Sequence, residues 1–106
     1  MPTSVVIVLT TVPNADAGAT VASALVEERL AACVNQLPPM TSTYRWQGAV
    51  TRDVEQQLVI KTTTDRLPAL RERLLALHPY ELPECLVVPV IDGSPAYLDW
   101  VRQETA

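Results

Sequence analysis

The sequence lacks most of the residues on which small-molecule catalysis depends. Its three glycines, Gly18, Gly48 and Gly93, stand far apart, so there is no Walker A loop and no G-x-G-x-x-G turn to cradle a nucleotide phosphate. The single histidine, His78, has no G-x-S-x-G segment before it, which removes the nucleophile elbow of the hydrolases. An enzyme is not expected. Cys33 and Cys85 are the only cysteines and have no C-x-x-C spacing, so reduced, packed thiols are expected in place of a disulfide or a zinc ribbon. Basic residues are outnumbered, 8 Lys and Arg against 12 Asp and Glu, and the net charge is −4. They are scattered, and no basic stripe exists to neutralise a nucleic-acid backbone. No apolar run approaches the roughly 20 residues that span a bilayer, so no membrane partner is expected. Met-Pro-Thr leads directly into Val5-Val6-Ile7 without the basic segment of a signal peptide, and a cytoplasmic location follows as the default expectation.

What is present is a folding core. Apolar residues make up 48% of the chain and charged residues 19%, enough hydrophobic surface to offset the ordering entropy. The 106 residues fit one domain over positions 1–106. Residues 4–11 are apolar and β-branched on both faces, the pattern of an interior strand. Asn14 is an N-cap for a helix over 15–30, with Val21, Leu25 and Leu30 at helical spacing. Positions 32–46 read as a second strand interrupted at Pro38-Pro39, which marks a bend or bulge because proline donates no ladder bond. Gly48 marks a turn, and alternation over 51–63 gives a third strand. Asp65 is the expected cap of a second helix ending near His78, since Pro79 disfavours helical geometry before it. Residues 85–91 form a fourth strand, and Gly93-Ser94-Pro95 opens a last helix with Tyr97, Leu98 and Trp100.

The order β-α-β-β-α-β plus a C-terminal helix predicts an α+β, ferredoxin-like split β-α-β sandwich with both main helices on one sheet face. The other face carries Val, Leu and Ile from the first and fourth strands, an apolar surface that a soluble monomer rarely exposes. Each arm of the hairpin formed by strands two and three also exceeds the usual strand length of about 5–6 residues. An overhanging arm offers unpaired backbone groups, so self-association by strand addition in a closed ring is expected.

His78-Pro79-Tyr80-Glu81-Leu82-Pro83-Glu84 is the densest cluster of functional groups. Its imidazole and carboxylates suit a first-row metal or proton transfer, while a histidine on a last helical turn equally bonds the free carbonyls there. Glu55 and Lys61 share a face of the third strand and line either an inter-subunit crevice or a solvated surface bearing a weak ion pair. Lys61-Thr62-Thr63-Thr64-Asp65 leads into a helix N-terminus, which can bind an anion. Tyr44, Trp46 and Trp100 are packing or interface anchors.

Several segments together resemble a known family: Glu28-Arg29-Leu30-Ala31-Ala32-Cys33-Val34-Asn35, Ser42-Thr43-Tyr44-Arg45-Trp46-Gln47-Gly48, Leu58-Val59-Ile60-Lys61-Thr62, the His78 to Glu84 segment, and Tyr97-Leu98-Asp99-Trp100. In this order they are similar to the CutA divalent-cation-tolerance proteins over nearly the whole chain. The resemblance implies a PII-like homotrimer held by long hairpin arms, with inter-subunit crevices and a role in the response to copper or other divalent cations. It makes Glu55, Lys61 and Tyr80 the candidate crevice residues and His78 and Cys33 the candidate metal ligands. The copper site described for the best-known bacterial member of that family uses a cysteine on the first strand and paired histidines at the end of the second helix. The matching positions here are Thr10, Leu77 and His78, so only His78 carries over, and Cys33, a carboxylate or another subunit must complete a site. The competing readings are a PII-like small-molecule sensor and a structural scaffold with no metal role.

Overall fold

A computed structural model describes residues 3–106; Met1 and Pro2, on which the signal-peptide reading drew, lie outside the described residues. The chain opens with β1 (Val5–Val12) and turns into α1 (Ala15–Glu27). Asn14 caps that helix by accepting the Ala17 N–H at 2.9 Å, which satisfies one of the free donors of the first turn. The helix stops before the apolar spacing does. Arg29 takes a left-handed φ of 60°, and the Leu30 and Ala31 N–H groups then both bond the Leu25 carbonyl, at 2.9 and 3.1 Å.

The expected second strand is in fact two, β2 (Cys33–Gln36) and β3 (Met40–Trp46), and both pair with β4 (Ala49–Thr63). Gln36 lies opposite Leu58 and Met40 opposite Glu55. Residues 37–39 therefore face only 56–57, and the surplus residue is a bulge at the two prolines, which have no N–H to lose. Gln47 and Gly48 close the hairpin with φ of 49° and 83°, the doubly left-handed geometry that matches the twist of the strands.

A single 3₁₀ turn over Thr64–Arg66 precedes α2 (Leu67–Leu77), so Asp65 lies inside that turn and does not cap the helix. His78 ends α2 with an extended ψ of 133°, the conformation its following proline imposes. β5 (Leu86–Pro89) and α3 (Pro95–Glu104) complete the chain.

The strands run β2-β4-β1-β5, with β3 extending the pairing of β4, and every neighbouring pair is antiparallel. This is the ferredoxin-like split β-α-β arrangement, α+β in class. α1 and α2 cover one face, where Val21, Leu25, Leu70 and Leu74 pack on Val8, Val12, Leu58 and Ile60. The opposite face is not wholly bare, as the sequence alone implied. Leu98 and Val101 of α3 pack there against Val5 and Ala32. The centre of that face stays open: Ile7, Leu9 and Val59 are only half-buried, and Leu86 and Val88, their neighbours across the ladder, are 56% and 42% exposed. The chain is elongated, 44 Å against 27 and 24 Å.

Candidate functional site

The arm and the link from α2 to β5 enclose a groove of about 870 Å³. One wall is a single face of the hairpin. Strand alternation and the register of Tyr44 opposite Thr51 and Ser42 opposite Asp53 bring Tyr44, Trp46, Asp53 and Glu55 onto it. The other wall is Tyr80 through Glu84.

Glu55 lies at the base and is only 8% exposed. The Tyr80 hydroxyl donates to its Oε2 at 2.6 Å. Burial, and then the hydrogen bond to and charge of Glu55, push the Tyr80 phenol well above the usual range, so it remains a donor. Tyr44 repeats the motif by donating to the Asp53 carboxylate; that hydrogen bond is the main cause of its raised pKa, with slight desolvation and the charges of Asp53 and Glu55 adding to it. Gln57 Nε2 donates to Glu84 at 3.3 Å. Arg45 is the one cation among the described residues that line the groove, and its pairing with Val50 turns its side chain to the hairpin face opposite Tyr44 and Trp46.

His78 holds the second wall in place. Its Nε2 lies 2.7 Å from the Thr11 carbonyl and its Nδ1 accepts the Tyr80 N–H at 3.1 Å. Those two bonds together require the neutral tautomer with the proton on Nε2. The imidazole, 8% exposed, pins the link to β1 and aims Tyr80 at Glu55, with the two rings 4.8 Å apart. A metal ion at either nitrogen would displace one of these bonds.

The remaining candidates lie elsewhere. Lys61 is six residues from Glu55 along β4, or about 20 Å at strand spacing, and its ammonium bonds Asn35. Cys33 pairs with Lys61, and its sulfur is 3.8 Å from the Tyr97 hydroxyl. Lys61 in turn faces Ile7, four residues from Thr11, so Cys33 and His78 differ by about 13 Å along the strands alone. Thr10 is fully buried with its hydroxyl unpaired among the described residues, and Leu77 packs against the core. Among the described residues no three of His, Cys, Asp and Glu converge to hold an ion. One chain thus joins Glu55, Tyr80 and His78 and leaves Lys61 and Cys33 apart. The sequence reading missed Asp53, Gln57 and the Thr11 carbonyl. Counting pairs outward from the two-residue turn at Gln47-Gly48 gives the first of these, because it puts Asp53 diagonal to Tyr44 on one face.

The fold and groove define a class of small α+β proteins, a split β-α-β sheet with an extended hairpin arm and a partly open apolar face. Residues 6–104 match the model of the CutA1 divalent ion tolerance protein family, and the chain belongs to that family. It is 54% identical over 99 residues to the divalent-cation tolerance protein CutA of Thermus thermophilus, covering 93% of this chain and 96% of that one. The crystal structure of CutA from Xylella fastidiosa superposes with a TM-score of 0.96 at 45% identity, over 98% of this chain and 100% of that one. The chloroplastic CutA of Arabidopsis thaliana is 43% identical over 100 residues, which are 94% of this chain and 55% of that longer protein.

Proposed function

We propose that the protein is a non-catalytic, cytoplasmic homotrimer of the divalent-cation-tolerance type, a single domain per protomer, whose ligand sites lie in crevices between subunits. The observation that carries this reading is the open centre of the sheet, Ile7, Leu9, Val59, Leu86 and Val88, in a chain elongated to 44 Å. A second copy that covers this face removes the apolar surface from water. It also provides a route for Lys61 to approach the Glu55–Tyr80 groove from a neighbouring subunit.

Copper or another divalent cation is the ligand that the family's role points to, with His78 and Cys33 as the candidate donors. The donors of one chain do not form a closed site, since the two stand apart and both His78 nitrogens are engaged, so the metal reading requires donors from a second copy. Isothermal titration with Cu(II), Zn(II) and Mn(II) tests it. Saturable heat that His78→Ala abolishes supports His78 as a ligand; heat unchanged by that substitution removes it from the site.

A PII-like small-molecule sensor is the second reading. It is favoured by the groove beside Glu55, whose volume falls within the range of about 300–1,000 Å³ usual for small-molecule sites.

A further inference from the structure

We propose that Asp92 is a site of spontaneous covalent modification, at which the Gly93 nitrogen closes on the Asp92 carboxyl to form a cyclic imide and hydrolysis leaves isoaspartate in the main chain.

The first ground is where the side chain points. Asp92 Oδ1 accepts the N–H of Gly93, the next residue in the chain, at 2.8 Å. That contact holds the nitrogen beside Cγ, the carbon it must attack, and reacting atoms in a near-attack pair stand about 3–3.5 Å apart. No other aspartate or asparagine among the described residues bonds the N–H that follows it. Asn14 accepts from Ala17, three residues on, and Asn35 accepts the Lys61 ammonium. Asp53 accepts the Tyr44 hydroxyl, and Asp99 pairs with Arg102.

The second ground is the freedom of the backbone to close the ring. Asp16 and Asp99 lie within helices, Asp53 in β4 and Asp65 in the 3₁₀ turn, where the regular structure fixes the peptide plane. Residues 91–94 belong to no helix or strand, and the Gly93 N–H makes no backbone hydrogen bond among the described residues. Glycine has no Cβ to obstruct the attack and is the least restricted residue in φ and ψ. Asp92 and Gly93 are both exposed, so water reaches the ring. Neither belongs to the apolar strip that the proposed trimer buries.

The reaction needs no partner other than water and transfers no electrons. As the N–Cγ bond forms, a Cγ–O bond of the carboxylic acid breaks, and the hydroxyl leaves with the N–H proton as water. Hydrolysis returns one water to the imide. Where it breaks the bond from nitrogen to the former main-chain carbonyl carbon, the chain runs through Cβ and Cγ and is longer by one methylene. That added length falls between β5 and α3. Leu98, buried in α3, lies 3.3 Å from the place a Cβ on Gly93 would take, so the altered loop disturbs the packing that docks the helix.

The test is prolonged incubation of the full chain at neutral pH, then mass spectrometry after digestion with an aspartate-directed endoprotease, which does not cut at isoaspartate. The proposal expects resistance to cutting to accumulate at residue 92, at a rate no lower than in a synthetic peptide of residues 89–96. Asp92→Asn, which expels ammonia, should react severalfold faster. Asp92→Glu, whose imide needs a larger ring, should yield no product while keeping the charge. A native chain slower than the peptide would show that the fold holds the pair apart and would overturn the proposal, as would isoaspartate that persists in Asp92→Glu. In the modified chain the Leu98 N–H, bonded to the Ser94 carbonyl at 3.0 Å, should exchange severalfold faster; unchanged exchange would contradict the effect on α3.

Discussion

Tyr80 shows how single side chains set the chemistry of this protein. Its hydroxyl is committed to Glu55 and its backbone N–H to His78, so one residue ties the link, the hairpin and the end of α2 together. All three tyrosines of the sequence, Tyr44, Tyr80 and Tyr97, have raised pKa values, through the Asp53 hydrogen bond, burial, and the contact with Cys33 respectively as the leading causes. A pKa raised in the folded state stabilises the fold below the ordinary phenol value of about 10, and that contribution is lost as pH rises through the folded pKa. Tyrosinate absorbance near 295 nm should therefore appear at higher pH in native than in urea-unfolded protein, and urea stability should fall above about pH 10. Ionisation of all three phenols at the ordinary value in the native state would contradict these assignments. Thr10 offers a separate test, because its buried hydroxyl is unpaired among the described residues. Replacing an orphaned hydroxyl with a methyl group of the same shape, Thr10→Val, should raise stability by about 1 kcal/mol in urea unfolding. A loss of stability would mean that the hydroxyl has a partner. Sequence reasoning found the composition of the His78 cluster but not its wiring, since the atom that fixes the histidine tautomer is a backbone carbonyl on a distant strand.

At the scale of elements, the parts that local chemistry decides were legible. The Asn14 cap, the stop before Pro79 and the turn at Gly48 each follow from a residue type with one strong preference. The length of α1 was not legible, because an arginine occupies the left-handed position where glycine is the usual signal. Arg29 earns that strain through its side chain, which donates to the Gln103 carbonyl at 2.7 Å and the Ala106 carbonyl at 3.2 Å. Arg66 adds a bond of 2.6 Å to the Thr105 carbonyl, so two arginines cap the end of α3 and anchor it on the sheet. Arg29→Ala should lose both bonds and keep the strain, whereas Arg29→Gly loses the bonds and relieves it. The alanine variant should be the less stable by about 1 kcal/mol, and both should lose amide protection over the last turn of α3 in hydrogen exchange. Equal stability of the two would show that the backbone at residue 29 relaxes without cost. The docking of α3 on the sheet face opposite α1 and α2 also escaped the sequence, because the side on which a short amphipathic helix docks is settled by tertiary contacts and not by its own pattern.

Over the whole molecule, apolar residues on both faces of β1 and of the strand that became β5 predicted a sheet with more apolar surface than two helices can cover, and the structure sharpens that expectation. α3 closes the Val5 end, and the strip from Ile7 and Leu9 to Leu86 and Val88 remains. The groove beside Glu55 opens along the β3–β4 arm, so assembly and ligand binding are linked in the proposed trimer. A charge placed in the strip, Leu9→Glu, should therefore separate subunits without unfolding them, because a half-buried strand position tolerates a carboxylate only when no partner covers it. The central claim is that this chain works as an assembly, and multi-angle light scattering at low micromolar concentration tests it most directly. The account predicts a single species with three times the mass of the chain, shifted toward one copy by Leu9→Glu. A stable, folded monomer of the unmodified chain at that concentration would contradict it.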